Sequence, residues 1–285
     1  MLRLAVANRE ETFERMADPL AERGIEAVHV PARERTIDLT DDDLPAVDAG
    51  FVFPGREMEG AAVDALLGVP WLNGRDAVLT SRNKGGVTAA LDRAGLPVPD
   101  TVMVSNPCDE AELVDAFERF DPPVVVKPNS ATRGVGVAKV SDLDSFLGVV
   151  DYLDLVHDYR ATGDKSFLVQ EYLPGATDYR AMVVDGEYVG AVERRLPEEK
   201  LAAGGWKHNV HRGAVAEGVE LPPELRELAE ETAETLGITL LGVDLLVSDE
   251  RTVVNETNAR PTIDAATKYR PGFYDRLAAA ITELS

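Results

Sequence analysis

Near its carboxyl end the chain reads Gly242-Val243-Asp244-Leu245-Leu246 and, after a polar turn, Val253-Val254-Asn255-Glu256-Thr257-Asn258. Both runs are rich in aliphatic and β-branched residues, so they predict the two strands of a hairpin. If the turn is centred on Glu250, Asp244 and Glu256 are equally far from it and face each other. Asn258 lies two residues further on and shares the face of Glu256.

These three side chains predict a metal site. Two carboxylates and one amide oxygen would converge on a small volume, and hard oxygen ligands of this kind suit magnesium, which keeps water and phosphate ligands. The alternative is an exposed polar hairpin in an acidic protein, but the flanking residues 238–243 and 253–254 have the composition of a buried sheet. We therefore predict Asp244, Glu256 and Asn258 as metal ligands.

A second motif places a lysine at the end of a valine-rich strand, followed by a loop with two glycines. Residues 124–137 read Val-Val-Val-Lys-Pro-Asn-Ser-Ala-Thr-Arg-Gly-Val-Gly-Val. The backbone amides around Gly134 can approach phosphate oxygens closely, with Lys127 facing them. The spacing does not match a Walker P-loop, which is excluded. Taken alone, such a loop is more often an ordinary hairpin turn.

Several segments between these motifs combine cations with no helical periodicity. They suggest a loop that gathers positive charge toward an anionic ligand, and the alternative is ion pairing with the many acidic side chains. His208 and His211 are three residues apart with no cysteine nearby, which argues against zinc. The segments are Val169-Gln170-Glu171-Tyr172-Leu173, Asp178-Tyr179-Arg180, Glu193-Arg194-Arg195 and Trp206-Lys207-His208-Asn209-Val210-His211-Arg212-Gly213.

Charge and composition limit the classes of function. The chain of 285 residues has 51 acidic and 29 basic residues and a net charge of −22, which opposes binding to nucleic acid or anionic membranes. No apolar run approaches the roughly 18 residues of a membrane span, and the amino terminus lacks signal-peptide features, so we expect a cytoplasmic protein. The acidic, lysine-poor composition resembles proteins of salt-loving organisms. An ordinary acidic cytosolic enzyme is the alternative.

The hydrophobic periodicity predicts an α/β protein of three lobes, at residues 1–78, 79–173 and 174–285. The first lobe alternates strand and helix patterns without Gly-x-Gly-x-x-Gly after its first strand, so we expect no dinucleotide site there. Residues 76–94 read as one helix. An irregular stretch is expected between the strand near residue 194 and the helix at residues 223–236.

Taken in order, five segments resemble the ATP-grasp superfamily, and most closely its RimK-like branch of ribosomal-protein glutamate ligases and related amino-acid ligases. The resemblance runs from about residue 80 to residue 258. It implies the ATP-grasp fold of α+β sandwich lobes with an amino-terminal pre-ATP-grasp α/β domain. The segments are Arg82-Asn83-Lys84 with Ala94-Gly95-Leu96-Pro97-Val98-Pro99, Val126-Lys127-Pro128, Val169-Gln170-Glu171-Tyr172, Asn209-Val210-His211-Arg212-Gly213, and Gly242-Val243-Asp244 with Asn255-Glu256-Thr257-Asn258.

The resemblance also implies an activity. Such a protein uses ATP with magnesium, or manganese, to activate a carboxylate as an acyl phosphate and joins it to the amine of an amino acid, peptide or protein tail. The implied ATP-binding residues are Lys84, Lys127, Arg133, Gly134, Gln170, Glu171, Tyr172, Leu173, Asp178, Lys207, His208 and Asn209. The implied catalytic residues are Arg194 and Arg212. Arg260 is a third candidate catalytic residue, predicted from its position two residues after Asn258.

Two departures from the family pattern concern the substrate. RimK-like proteins usually have Asn-x-Ser-Pro-Gly after the metal asparagine, but Arg260 stands at the serine position here. Lys207 and His208 occupy the places of the family's arginine and serine. We expect Arg260 to help select the substrate on the metal side of the hairpin, and the alternative is an ion pair with Asp264 or another acidic residue.

Three alternatives to a RimK-like ligase stay open from the sequence. They are a small-molecule amide ligase, a carboxylase-like enzyme and an ATP-binding regulator without turnover. A homo-oligomer is compatible with each of them.

Overall fold

The computed structural model describes residues 1–8, 10–40, 44–132, 134–156, 164–208, 210 and 213–284. The amino-terminal part is a parallel sheet with helices against it. Its elements are β1 (Leu2–Val6), α1 (Glu10–Ala21), β2 (Ile25–His29), β3 (Ala49–Phe51), α2 (Glu57–Leu67) and β4 (Trp71–Leu72). The strand order is β2-β1-β3-β4, so the chain winds first to one side of β1 and then to the other.

The single helix predicted at residues 76–94 is wrong. The structure has two helices instead, α3 (Arg75–Arg82) and α4 (Lys84–Arg93). They meet at Asn83, whose backbone leaves the helical region and whose side-chain oxygen accepts a hydrogen bond from Gly86 N at 3.0 Å. An asparagine in this position caps a new helix. Lys84 consequently becomes the first residue of α4.

The central part is an antiparallel sheet covered by two helices. Its elements are β5 (Thr101–Ser105), α5 (Glu110–Glu118), β6 (Val124–Pro128), β7 (Ala138–Val140), α6 (Leu143–Val156) and β8 (Ser166–Glu171). The strand order is β5-β8-β6-β7. Buried residues such as Val126, Phe146 and Phe167 form a core of its own.

The carboxyl-terminal part is an antiparallel sheet with helices. Its elements are β9 (Thr177–Val184), β10 (Glu187–Arg195), α7 (Glu198–Ala202), β11 (Val215–Val219), α8 (Pro223–Leu236), β12 (Leu240–Val247), β13 (Thr252–Asn258), a 3₁₀ turn (Ala266–Lys268) and α9 (Phe273–Thr282). The five strands have the order β11-β10-β9-β12-β13. The stretch predicted as irregular thus contains a short helix, α7, and a strand, β11.

The packing ties the first sheet to the third. Buried side chains of β1 and β3 belong to the same hydrophobic core as those of β9, β12, α8 and α9. Helix α4 packs against α8 and β13. The lobe boundaries by residue number stay a prediction. Among the described helices, none combines the length and the apolar composition that a membrane span needs.

The predicted facing of Asp244 and Glu256 in the β12–β13 hairpin is confirmed. Nearer the turn the pairing is shifted, because Leu245 pairs with Val254. Asn255 is therefore the extra residue of a β-bulge. Without the bulge, the pairing of Leu245 with Val254 would continue and place Asp244 opposite Asn255. The bulge shifts the register by one residue, so Asp244 lies opposite Glu256.

Asn73 links the first and third parts by hydrogen bonds. Its buried amide nitrogen donates to Leu240 O at 2.6 Å and to Ala259 O at 2.8 Å, and its oxygen accepts from Leu240 N at 3.2 Å. Buried backbone groups without a partner are costly, so this side chain satisfies groups that the sheet leaves unpaired.

We expect Asn73→Ala to lower the free energy of unfolding by about 2–4 kcal/mol, because three buried polar backbone groups lose their partner. Chemical denaturation in high salt measures the change. The matched control is Asn106→Ala, which removes one exposed hydrogen bond to Asp154 and is expected to cost less than about 1 kcal/mol. Equal losses in the two variants would show that Asn73 does not hold the junction.

Candidate active site

One face of the five-stranded sheet carries a row of charged side chains. Asp178 and Arg180 lie two residues apart on β9 and therefore share a face. Arg194 of β10 pairs in register with Asp178, and Asp244 of β12 pairs with Arg180. Glu256 of β13 follows Asp244 on the next strand. Cross-strand pairing thus brings five charged residues from four strands together.

Asp244 is the buried centre of this row. Arg180 donates from Nε and Nη2 to its two oxygens at 2.6 and 2.7 Å, and Nη2 of Arg194 lies 2.9 Å from Oδ2. Arg194 also donates from Nε to Asp178 Oδ1 at 3.0 Å. Burial alone would raise the pKa of Asp244, but Arg180 and Arg194 hold it well below its usual range. Asp244 therefore stays ionised.

Arg180 is a residue to which the sequence analysis gave no role. The sequence signal that could have found it is its spacing of two residues from Asp178, which places both side chains on the same face of a strand. Burial would lower the pKa of Arg194, but Asp244 and Asp178 raise it above its ordinary value. The buried guanidinium group of Arg194 therefore keeps its charge.

The two predicted lysines lie close to this row. The ammonium of Lys84 lies 3.1 Å from Glu256 Oε1 and donates to Ala131 O at 2.5 Å. Lys127, at the end of β6, donates to Gln170 Oε1 at 2.9 Å. Burial lowers the pKa of Lys127 to about 8, with Glu256 opposing the shift and Lys84 adding to it. Lys127 is thus a buried ammonium that can lose its proton near neutral pH.

Gln170 is one of the implied ATP-binding residues, and its side chain makes two contacts. Its amide nitrogen donates to Thr101 Oγ1 at 2.8 Å while its oxygen accepts from Lys127. The hydrogen bond to Thr101 fixes the orientation of the amide and so presents the oxygen to the lysine.

Asn129 is a second residue that the sequence analysis left without a role. Its side-chain oxygen accepts from Gly85 N at 2.8 Å, and its nitrogen donates to Asn83 Oδ1 at 3.0 Å. These bonds attach the start of α4 to the end of β6. They bring Lys84 and Lys127 to the same cleft.

The loop after β6 lies beside the lysines. Ser130 has a buried hydroxyl oxygen with no hydrogen-bond partner among the described residues. Gly134 and Gly136 have φ values of 64° and 74°, and a Cβ on Gly136 would lie 2.7 Å from Pro128 Cγ. Larger residues would strain this turn. Arg133 lies outside the described residues.

The implied ATP-binding segment at residues 170–173 continues beyond Gln170 into an aromatic pair. Glu171 accepts from Asp100 N at 2.7 Å and pairs with Arg251, so its side chain anchors the strand. The rings of Tyr172 and Trp206 meet edge to face at 6.1 Å. Leu173 follows and is half-buried.

Lysines flank the aromatic pair. The Lys139 ammonium lies 4.5 Å from the centre of the Tyr172 ring, and Lys207 donates to Val137 O. His208 Nδ1 lies 3.6 Å from Asp178 Oδ2, which links this loop to the charged row. The predicted residues Asn209 and Arg212 lie outside the described residues.

Arg260 points toward the first lobe. Its Nη1 donates to Phe53 O and to Val52 O, and its Nη2 donates to Asn8 Oδ1 at 2.9 Å. The alternative ion pair with Asp264 is absent from the described residues, since that carboxylate pairs with Lys268 and with Arg15.

The electrostatic surroundings of Arg260 are positive. Burial, together with the nearby cations Arg33 and Arg82, lowers its pKa to about 10. All of its acceptors are neutral oxygens, so the side chain has no compensating carboxylate in the described part of the chain.

The predicted metal ligands offer hard oxygens only. Asp244 and Glu256 are neighbours across the hairpin, and Asn258 Oδ1 accepts one hydrogen bond, from Arg260 N at 2.9 Å. The described residues contain no cluster of three or more histidine, cysteine, aspartate or glutamate side chains arranged for a metal. Two carboxylates with an amide fit a cation that takes the rest of its ligands from phosphate and water.

Comparison with known proteins shows which family this chain resembles. The profile of the RimK-like ATP-grasp domain matches residues 81–272. A probable alpha-L-glutamate ligase of Citrobacter koseri and a ribosomal protein bS6–L-glutamate ligase of Escherichia coli are each 31% identical over 231 residues, covering 79% of this chain and 70% of theirs.

The fold agrees with solved structures at lower identity. D-alanine–D-alanine ligase of Bacillus anthracis in complex with ATP has a TM-score of 0.71 at 19% identity, covering 100% of this chain and 97% of its own. The RimK-domain ATP-grasp protein of Sphaerobacter thermophilus has a TM-score of 0.69 at 22% identity, covering 99% and 98%. The predicted ATP-grasp fold is confirmed, and the chain belongs to the RimK-like ATP-grasp family of carboxylate–amine ligases.

Proposed function

We propose that this ligase cleaves ATP to join a substrate carboxylate to the amine of an amino acid, a peptide or a protein tail. The observation that carries the proposal is the cluster that buried Lys84, Lys127 and Arg194 form with Asp244 and Glu256. Buried cations are costly unless anions compensate them, and the carboxylates here compensate only part of the charge. A polyphosphate supplies the rest.

We propose Asp244, Glu256 and Asn258 as the ligands of Mg²⁺, with Mn²⁺ as a substitute. Each side chain keeps an oxygen lone pair beyond its present hydrogen bonds. A bound ion would neutralise charge on the phosphates during transfer. Lys84, which now faces Glu256, would then be able to turn to phosphate oxygens.

The other predicted residues receive proposed roles around the nucleotide. Lys127 and the loop amides near Gly134 hold phosphates, and the buried hydroxyl of Ser130 offers a further donor. The backbone of residues 170–173 binds adenine, and Asp178 lies on the ribose side. The remaining proposed ATP contacts are Arg133, Glu171, Tyr172, Leu173, Lys207, His208 and Asn209, and Arg194 and Arg212 are proposed to stabilise the acyl phosphate.

The chemistry needs no side-chain nucleophile. A carboxylate oxygen attacks the γ-phosphorus while the bond to ADP breaks, and the amine then attacks the acyl carbon, loses a proton and expels inorganic phosphate. The chain positions the reactants and stabilises developing charge. Burial, with Glu112 and Asp109, raises the pKa of the Cys108 thiol, which suits a residue outside the chemistry.

The relatives are named for glutamate ligation, one of them to a ribosomal protein. We carry over an amino-acid type of substrate and leave the acceptor open, because Lys207, His208 and Arg260 depart from the family pattern at substrate-facing positions. The net charge of −22 supports a cytoplasm rich in salt as the working environment.

The first test is phosphate release from ATP and Mg²⁺ with pairs of amino acids and short peptides in high salt. We expect Lys127→Ala and Glu256→Gln each to lower the rate at least about 100-fold, because each removes charge stabilisation of the transferring group. Circular dichroism checks the fold of each variant.

The controls are Lys165→Ala and Glu250→Gln, which change exposed residues of the same types. Both should release phosphate at the parent rate. Turnover of Lys127→Ala or Glu256→Gln within about threefold of the parent would contradict the proposed site.

The shifted pKa of Lys127 gives a second prediction. In nucleotide-free protein this ammonium should lose its proton as the pH rises through about 8, and ATP should move the transition upward because phosphate favours the charged form. Side-chain NMR of the seven lysines measures it, with Lys127→Arg identifying the signal. If all lysines titrate above about pH 9.5, the buried ammonium is not perturbed as described.

A further inference from the structure

Several side chains converge at the carboxyl edge of the first sheet. In the order β2-β1-β3-β4 the winding reverses between β1 and β3, and open parallel sheets bind ligands at the carboxyl edge of such a switch point. Asn8 follows β1, Arg33 follows β2 and Gly55 follows β3, so all three lie at that edge. The third lobe and α3 add Arg260 and Arg82.

Three guanidinium groups surround Gly55. Nη2 of Arg82 donates to Gly55 O at 3.2 Å. A Cβ on Gly55 would lie 2.6 Å from Arg33 Nη2 and 3.3 Å from both Nε and Nη2 of Arg260. The absence of a side chain at Gly55 therefore lets the guanidinium groups of Arg33 and Arg260 approach its Cα, while Arg82 binds its carbonyl oxygen.

Arg82 and Arg260 pair with no carboxylate among the residues that the structure describes. Their acceptors are backbone carbonyls and the amide oxygen of Asn8. In a chain with 51 acidic and 29 basic residues, an arginine without an acidic partner is unexpected. Clustered cations repel one another at the interface of two lobes, and a bound anion would remove that cost.

Arg260 also presents the geometry that carboxylates prefer. Its Nη1 is occupied by two carbonyls, whereas Nε has no acceptor in the described part of the chain. The Nε and Nη2 edge, which faces Gly55, can bind a carboxylate through two parallel hydrogen bonds.

We propose that Arg82 and Arg260, with Arg33 at the rim, bind a carboxylate of the substrate that does not react. This inference rests on the proposed ligase function and deepens it. The enzyme would take a substrate with a carboxylate beyond the one that is activated, either a dicarboxylic donor or an α-amino acid acceptor whose amine reacts. Such a contact positions the substrate across the two lobes.

The direct test is calorimetric binding of glutarate and L-glutamate. The counterparts are glutaramate, L-glutamine and L-isoglutamine, each of which has one carboxylate replaced by an amide. The lowest salt that keeps the protein folded avoids screening. We expect each dicarboxylate to bind at least about tenfold more tightly than the counterpart that lacks the carboxylate held by the arginines, and Arg82→Gln and Arg260→Gln to remove the difference. Arg93→Gln, at an exposed site of α4, should retain it.

Kinetics then identify which substrate carries the carboxylate. With a pair that releases phosphate, Arg82→Gln should raise the KM of one substrate about 10- to 100-fold and change kcat less than threefold. A rise in the KM of the donor indicates a dicarboxylic donor, and a rise in that of the amine indicates an amino acid acceptor. A loss confined to kcat would overturn the binding role.

Arg260→Gln removes several contacts between lobes and could unfold the protein, whereas the side chain of Arg82 makes one hydrogen bond to the described part of the chain, to Gly55 O. Arg82→Gln therefore decides the matter if the other variant fails to fold. Equal binding of dicarboxylates and monoamides, or binding unchanged in Arg82→Gln, overturns the inference. Absence of phosphate release together with arginine-dependent carboxylate binding would instead refute the proposed function and leave this site standing.

Discussion

The interaction on which the site depends is the buried contact of Asp244 with Arg180 and Arg194. A carboxylate in the interior is tolerated only when cations and hydrogen bonds compensate it, and here two guanidinium groups from adjacent strands do so. Asp178 holds Arg194 from the other side. This arrangement fixes the charged face of the sheet before any ligand arrives.

The same face explains why helix α4 must start where it does. Lys84 reaches Glu256 only because Asn83 ends one helix and caps the next, and because Asn129 attaches that cap to the end of β6. The site is thus assembled from several elements. The carboxyl-terminal sheet contributes the carboxylates of Asp244 and Glu256, and the cations Lys84 and Lys127 come from α4 and from β6 of the central sheet.

The first lobe joins this assembly by polar contacts as well as by its shared core. Asn73 of the first lobe forms hydrogen bonds with β12 and with Ala259. In the opposite direction, Arg260 donates hydrogen bonds to the loops after β1 and β3. The residues after the proposed metal ligands therefore face the switch point of the parallel sheet. Arg260, which departs from the family pattern, therefore lies between the proposed reaction centre and the first lobe.

The sequence by itself determined the local features: the alternation of strands and helices, the lysine at the end of β6, and the hairpin with Asp244 opposite Glu256. These follow from periodicity and short motifs, which depend on neighbours along the chain. The ATP-grasp fold followed from the resemblance of five ordered segments to that superfamily. Only the tertiary structure decided the bulge at Asn255, the attachment of the Asn83 cap to Asn129, and the meeting of Arg82 with Arg260. The physical reason is that the bulge depends on how two strands pair, and the other two depend on hydrogen bonds and packing between residues far apart in the chain, which no local pattern records.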